Sequence, residues 1–329
     1  MPSPRPLLIT MDTEGDNLWA RPSTITTRNA TFLPRFQILC ERYGFAPTWL
    51  VDYDMARDPF FVDFGRDVIA RRTGEIGVHP HAWNTPPDAP LTANDYACMP
   101  YLIEHPESVL RAKLDVLTGQ LETAFDVKMV SHRAGRWSFN DAYAKALARR
   151  GFRADCSVTP GVNWQTTLGC PDGVGGTDYS NAPTTPYRLL AEAGPSTLWE
   201  VPVTIRPAGG AVAASVRRAL SGVSLASRLW NRVYPAARWF RPRPGNRWEM
   251  RALLHEVIRD ESPYVEFMLH SSELMPGGSP TFPDERSIEG LYEDLEAIFE
   301  EARSWGCVGM TLKGYADQLD AASYLAAPL

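Results

Sequence analysis

Cysteine is scarce and scattered: the 329 residues contain five (Cys40, Cys98, Cys156, Cys170 and Cys307), an odd number with no Cys-x-x-Cys pair. That excludes a disulfide framework and a thiolate zinc site. No stretch approaches the roughly 18 uninterrupted apolar residues of a membrane span. The apolar run Leu7–Met11 is too short for a signal-peptide core and ends in acids, so a cytoplasmic protein is expected. Positive charge does not dominate either: the net charge of −6 argues against a general nucleic-acid binder. Gly173–Gly176 lacks the lysine and following helix of a phosphate loop, and Ser271 and Ser272 stand outside a nucleophile elbow.

What is present is an ordinary globular composition, 44% hydrophobic and 22% charged. Short β-rich runs alternate with helix-patterned segments. Strands are predicted at Leu7–Asp12, Pro47–Val51, Glu75–His79, Met129–Arg133, Arg153–Val158, Trp199–Ile205, Val265–His270 and Cys307–Leu312. Helices are predicted near Arg28–Arg42, Pro59–Arg72, Pro106–Phe125, Asn140–Arg150, Trp248–Arg259 and Ser287–Ser304. The alternation predicts an α/β fold, a distorted (β/α) barrel of about seven or eight strands in a single domain over 1–329, with a doubly wound open sheet as the alternative. Thr159–Arg188, rich in Gly, Pro, Asp, Asn and Thr, reads as a long functional loop.

The chemistry-bearing residues collect at the ends of these strands. His79 and His81, in Glu75-Ile76-Gly77-Val78-His79-Pro80-His81-Ala82-Trp83, are spaced i and i+2, which puts both imidazoles on one face of an extended chain. Thr10-Met11-Asp12-Thr13-Glu14 closes the first strand with two carboxylates at the same spacing. Together they offer oxygen and imidazole ligands for a metal ion and a carboxylate left free to take a proton from water. Arg133 can hold that base ionised through charge-assisted hydrogen bonds. His270 can deliver a proton to a leaving group, with Asp155 as its expected partner. In β/α folds the carboxyl rim of the sheet is where active sites are built.

These motifs resemble those of the polysaccharide deacetylases with NodB homology, the family-4 carbohydrate esterases. Thr10–Glu14 is similar to the family's first motif, Glu75–His79 to the second, His132-Arg133-Ala134-Gly135-Arg136-Trp137 to the arginine motif, and Leu269-His270 to the final histidine motif. Asp155–Gly161 resembles the segment carrying an aspartate partner. With His79–Pro87 and His270–Pro280, the chain looks closest to a WalW-like branch linked to lipopolysaccharide biosynthesis. The resemblance implies a hydrolase that removes an acyl group from an amino sugar or glycan precursor with a divalent metal, zinc by default. It implies Asp12 as general base, Glu14 and His79 as metal ligands, Arg133 as the residue orienting the base and His270 as general acid, and the same-face spacing offers His81 as a further ligand. Two positions depart from the pattern. Glu14 stands where aspartate is usual, and Trp83 stands where the second histidine is usual, so His81 takes its place. A catalytically impaired glycan-binding scaffold, or a metal-independent amide hydrolase, stays open as an alternative.

Arg206–Arg251 holds ten arginines and one acid, Glu249, a net +9 that leaves −15 for the rest of the chain. Within this insert, at about 206–247, Val216, Leu220, Val223 and Trp230 recur at near-helical spacing among Arg217, Arg218, Arg228 and Arg232. The pattern suggests a basic amphipathic helix able to dock on an anionic membrane or a lipid-phosphate substrate, against the plainer alternative of a solvated lid or packing insert. His132 is expected to be a packed or surface residue, and Trp83, Trp137 and Trp164 are either sugar-stacking surfaces or core.

Overall fold

The computed structural model describes residues 4–190, 198–209, 213, 215–216, 219–220 and 237–326. Its organising element is β1 (Arg5–Thr13), buried from Pro6 onwards. One edge of β1 pairs in parallel with β10 (Val265–His270). The other edge is shared, its lower half by β11 (Cys307–Met310) and its upper half by β2 (Thr48–Val51). From β2 the sheet continues through β3 (Glu75–Val78), β4 (Ser131–His132), β5 (Ala154–Asp155) and β7 (Trp199–Glu200), all parallel, to the antiparallel β6 (Tyr187–Arg188). The nine strands curl into a distorted (β/α) barrel in a single domain.

Parity along β1 sorts its side chains. Leu7, Ile9 and Met11 face the outer core beneath the helices α1 (Leu33–Arg42), α2 (Pro59–Arg71), α4 (Glu107–Phe125), α5 (Asp141–Arg150), α6 (Arg247–Arg259) and α7 (Glu285–Ser304), the single turn α3 (Asp95–Cys98) lying between α2 and α4 in the chain. Leu8 faces inward, where it joins Leu50, Ala154, Val201 and Tyr264 in a second cluster with Leu312, Tyr315 and Ala316 of the C-terminal helix α8 (Leu312–Ala326). That helix, absent from the predicted elements, supplies apolar side chains to this second cluster. Above Leu8 the inward positions are Thr10 and Asp12, so polarity rises toward the carboxyl rim as a period of two requires. Helix ends follow their sequence signals: Asp58 caps α2 ahead of Pro59, and Asn140 caps α5, which Gly151 closes in the left-handed conformation.

Several predicted strands shrink to two-residue ladders because side chains take over their backbone partners. The Ala134 amide donates to Ser157 Oγ, and the Val158 amide donates to Glu200 Oε1. The predicted Trp199–Ile205 strand divides around Pro202, which has no N–H to give. Its far end, β8 (Ile205–Arg206), pairs instead with β9 (Arg238–Trp239) outside the main sheet.

In the arginine-rich insert, Arg217, Arg218, Arg228 and Arg232, on which the basic helix depends, lie outside the described residues. Arg238, Arg241, Arg243, Arg247 and Arg251 are each paired with an acid of this chain, at 2.5–3.3 Å. Half of the block's positive charge is therefore internally neutralised.

Gly309 of β11 sits where a Cβ would lie 2.4 Å from Phe45 Cα and 2.5 Å from Gly44 O, both backbone atoms. Gly309→Ala should therefore lower stability by about 1–3 kcal/mol as an overpacked core position does. Urea unfolding checks it through a lowered midpoint with unchanged slope.

Candidate metal centre and cleft

Strand register brings the chemistry together. Asp12 is the direct neighbour of His270 across β1 and β10, and Val78, which precedes His79, is the neighbour of His132, which precedes Arg133. The strand ends open into a cleft of about 320 Å³ whose floor includes Asp12, Glu14, His79, His81 and His270.

Glu14, His79 and His81 present one donor atom each within 4.8 Å of one another, and all three are buried. Glu14 Oε2 lies 2.8 Å from His81 Nε2 and 3.6 Å from His79 Nε2. His79 Nδ1 lies 2.9 Å from the Arg133 carbonyl; as the N–H donor of that bond it leaves Nε2 an electron pair facing the cleft. His81 Nδ1 is buried without a hydrogen-bond partner. Burial raises the Glu14 pKa, but its bonds to His79 and His81 outweigh this and hold the carboxyl well below its ordinary range. Burial lowers both imidazoles. In His79 the charges of Asp12 and Glu14 reverse that and raise it, whereas His81 stays lowered. An anionic carboxylate and two imidazoles converging in a buried pocket suit a divalent cation, with positions left open.

Asp12 is the second carboxylate. Its Oδ1 accepts from Arg133 Nη1 at 2.6 Å, and its Oδ2 lies 3.7 Å from His270 Nε2. Burial raises its pKa, but Arg133, His79 and His270 together hold it below the usual range, so it is ionised and able to accept a proton. Arg133 is fully buried and distributes its donors to Asp12, Thr10, Glu266 and the Cys156 carbonyl.

His270 is partnered differently from expectation. Its Nδ1 lies 3.1 Å from Glu273 Oε2, which in turn accepts from Arg241 at 2.8 Å. Trp19 packs edge-on against the imidazole at 4.9 Å. Burial raises the Glu273 pKa, but Arg241 and His270 draw it down to about 2. Asp155 is not in the cleft. It is wholly buried and bonds His132 Nδ1 at 2.6 Å and Ser157 Oγ at 2.8 Å, while His132 Nε2 meets the Tyr143 hydroxyl at 2.9 Å. The expected Asp155–His270 pair is thus replaced by Asp155–His132 and Glu273–His270. The reason is the sheet order: β5 lies beside β4, and β1 to β4 separate it from β10.

Glu273, Glu266, Arg241 and Trp19 went unnoticed in the sequence. Glu266 carried a signal, an acid inside the otherwise apolar Val265–Leu269, and Glu273 stands three residues after His270 in a single turn. Arg241 and Trp19 carried none. Trp137 and Trp164 line the cleft, whereas Trp83 stacks on His81 at 4.3 Å.

The two histidines are not equally supported, since only His79 has a partner fixing its second nitrogen, and such partners are worth about 10- to 100-fold in metal affinity. His79→Ala should weaken cobalt(II) binding about tenfold more than His81→Ala does. Titration followed by the visible spectrum of cobalt checks the order, which equal losses would overturn.

No family model matches the chain, and no curated protein matches its sequence. Solved structures do. A protein assigned as a polysaccharide deacetylase from Mycobacterium smegmatis superposes with a TM-score of 0.55 at 15% identity, over 98% of this chain and 93% of that one. The 4-alpha-glucanotransferase from Thermococcus litoralis superposes with a TM-score of 0.50 at 12% identity, over 95% of this chain and 38% of that one. The family-4 carbohydrate esterase domain of a multidomain xylanase from the hindgut metagenome of Trinervitermes trinervoides gives 0.45 at 8% identity, over 97% and 92%. At these identities the likeness establishes the fold. Two different named activities on that fold leave the reaction to be argued from the site.

Proposed function

We propose that the protein is a metal-dependent hydrolase that removes an N-acyl group, acetyl or formyl, from an amino sugar or glycan precursor. We place it in cell-surface glycan biosynthesis of the lipopolysaccharide type, in the cytoplasm. The observation that carries this reading is the placement of an ionised Asp12 and of His270 beside one buried Glu14–His79–His81 cluster in a single cleft. Five cysteines without a disulfide agree with a reducing compartment.

Glu14, His79 and His81 would hold a divalent ion, zinc by default for imidazole and carboxylate donors, which when bound would supply polarisation of the acyl carbonyl and acidification of water. The chain's own residues carry the protons. Asp12 takes one from the attacking water, with Arg133 fixing the carboxylate by a charge-assisted bond. His270, oriented through Nδ1 by Glu273, presents Nε2 to the departing amine and supplies its proton as the C–N bond breaks. A carboxylic acid and a free amino sugar result. Burial raises the Glu266 pKa to about 7 against the pull of Arg133, whose Nη2 donates to Glu266 while its Nη1 donates to Asp12.

Asp12→Asn and His270→Ala should each lower the rate of acyl release by about 10²- to 10⁴-fold while leaving the fold intact. Release of acetate or formate from N-acylated glucosamine glycosides, with circular dichroism as the folding control, provides the test. Near wild-type turnover by either folded variant would remove that residue from its role. Peripheral contact with an anionic membrane through Arg217, Arg218, Arg228 and Arg232 belongs to the same proposal, at about 1 kcal/mol per engaged basic residue. Sedimentation with phosphatidylserine vesicles should then show salt-sensitive binding that charge reversal at the four positions abolishes.

A further inference from the structure

The cleft holds two guanidinium groups that the acyl-transfer chemistry does not use. Arg136 is half-buried, bonded to the carbonyls of Met99 and Leu168, and lies 4.1 Å over the Tyr101 ring. Arg21 is exposed and donates to the Ala97 carbonyl at 2.6 Å. Both line the cleft that contains the Glu14–His79–His81 cluster. Neither forms an ion pair among the described residues. The carboxylate near Arg136, Glu104, is occupied by the Tyr101 and Cys170 amides.

This placement costs energy. Burial works most strongly against the charge on Arg136 and repulsion from Arg21 adds to it, outweighing the support of Tyr101 and Glu104. The backbone adds to the cost, because Arg136 and Trp137 both adopt left-handed dihedrals (φ 55° and 62°) although neither is glycine. Such strain persists where surrounding structure overdetermines it and collects at ligand sites. Here it turns the Arg136 side chain toward the cleft, one residue from Trp137, whose ring receives Arg133 at 4.8 Å. Carbonyls satisfy only some of the donors, and a planar fork with donors to spare fits carboxylate or phosphate oxygens.

We propose that Arg136 and Arg21 form an anion-binding subsite, so that the acyl-amino sugar treated by this cleft carries a phosphate or carboxylate on the same molecule. The inference rests on the proposed hydrolase reading for the sugar and on the two arginines alone for the anion. A charged partner would relieve the repulsion, and the aromatic rings of Tyr101 and Trp137 would flank the sugar.

Binding, not turnover, is the primary test. N-acetylglucosamine 1-phosphate, N-acetylmuramic acid and the neutral methyl glycoside of N-acetylglucosamine are titrated against the protein and followed by calorimetry. At least one acid should bind about tenfold tighter than the neutral sugar, with the gap shrinking as salt rises. Whichever acid gains more identifies phosphate or carboxylate. Arg136→Met should erase the gap and Arg136→Lys should retain part of it. Arg21→Ala, at an exposed position, should narrow the gap even where an Arg136 variant fails to fold. Equal binding of neutral and acidic sugars, or a gap that survives both Arg136→Met and Arg21→Ala, overturns the subsite. Acyl release measured in parallel separates the two readings. Preferential binding of acids without release defeats the hydrolase and leaves the subsite, whereas equal release from neutral and acidic sugars defeats the subsite and leaves the hydrolase.

Discussion

Arg133 is the cation around which the barrel interior is organised. Its guanidinium reaches Thr10 and Asp12 on β1, Glu266 on β10 and the chain just past β5, so one side chain ties together strands from distant parts of the sequence. A charge with no exposed surface is tolerated only when its donors are satisfied, and removing one partner of such a group commonly costs about 3–5 kcal/mol. The same bonds fix the Asp12 carboxylate beside the cleft. Structural and chemical roles therefore cannot be varied independently at this residue, and an Arg133 variant reports on both at once.

The interior near Arg133 holds more carboxylates than cations. Asp12, Glu14, Asp155, Glu200, Glu266 and Glu273 are all buried, with Arg133 and the partly buried Arg241 as their nearby guanidinium partners. The surplus is resolved in three ways, read from how each group shifts. Glu200 and Glu266 are raised, burial being the largest cause, which favours their neutral forms. Asp155 is held low by His132 despite its burial. Glu14 keeps its charge by leaning on two imidazoles at the open end of the barrel. Of the six, Glu14 is the one that gathers two imidazoles with all three donor atoms within 4.8 Å of one another among the described residues, so the geometry fits a cation at that end.

Much of this was legible in the sequence. The pairs at i and i+2 pointed to Asp12, Glu14, His79 and His81, and strand-end placement with the motif resemblance pointed to Arg133 and His270; the structure brings all six together. The partners were less legible. Asp155, inside the predicted strand Arg153–Val158, looked suited as a carboxylate partner for His270 at the end of another strand, but adjacency in a sheet depends on strand order, and that order puts Asp155 opposite His132. His270 instead finds its carboxylate three residues onward, in a local turn that closes with the Glu273 side chain on its own backbone. Strand lengths were overread for a related reason: serine and glutamate side chains replace ladder partners near the rim, and hydrophobic patterning carries no record of that exchange.

A spacing of two residues lets His79 and His81 share one donor set with Glu14. Once β3 ends at Val78, Pro80 keeps the chain extended, and the His79 and His81 rings meet nearly at right angles with centroids 4.8 Å apart. Room for His81 comes from Gly135, where any Cβ would stand 2.3 Å from its Nδ1. The position four residues beyond His79 is then free for Trp83, which stacks on His81 and helps to set its plane. The longer reach of Glu14 completes the arrangement, because its Oε2 approaches both imidazoles while the main chain at Glu14 is held by Ser271 and Asn29. Glu14, His81, Trp83 and Gly135 thus form one linked set. A larger residue at Gly135 would displace His81 as surely as substituting the histidine itself, even though Gly135 contributes no donor to the site.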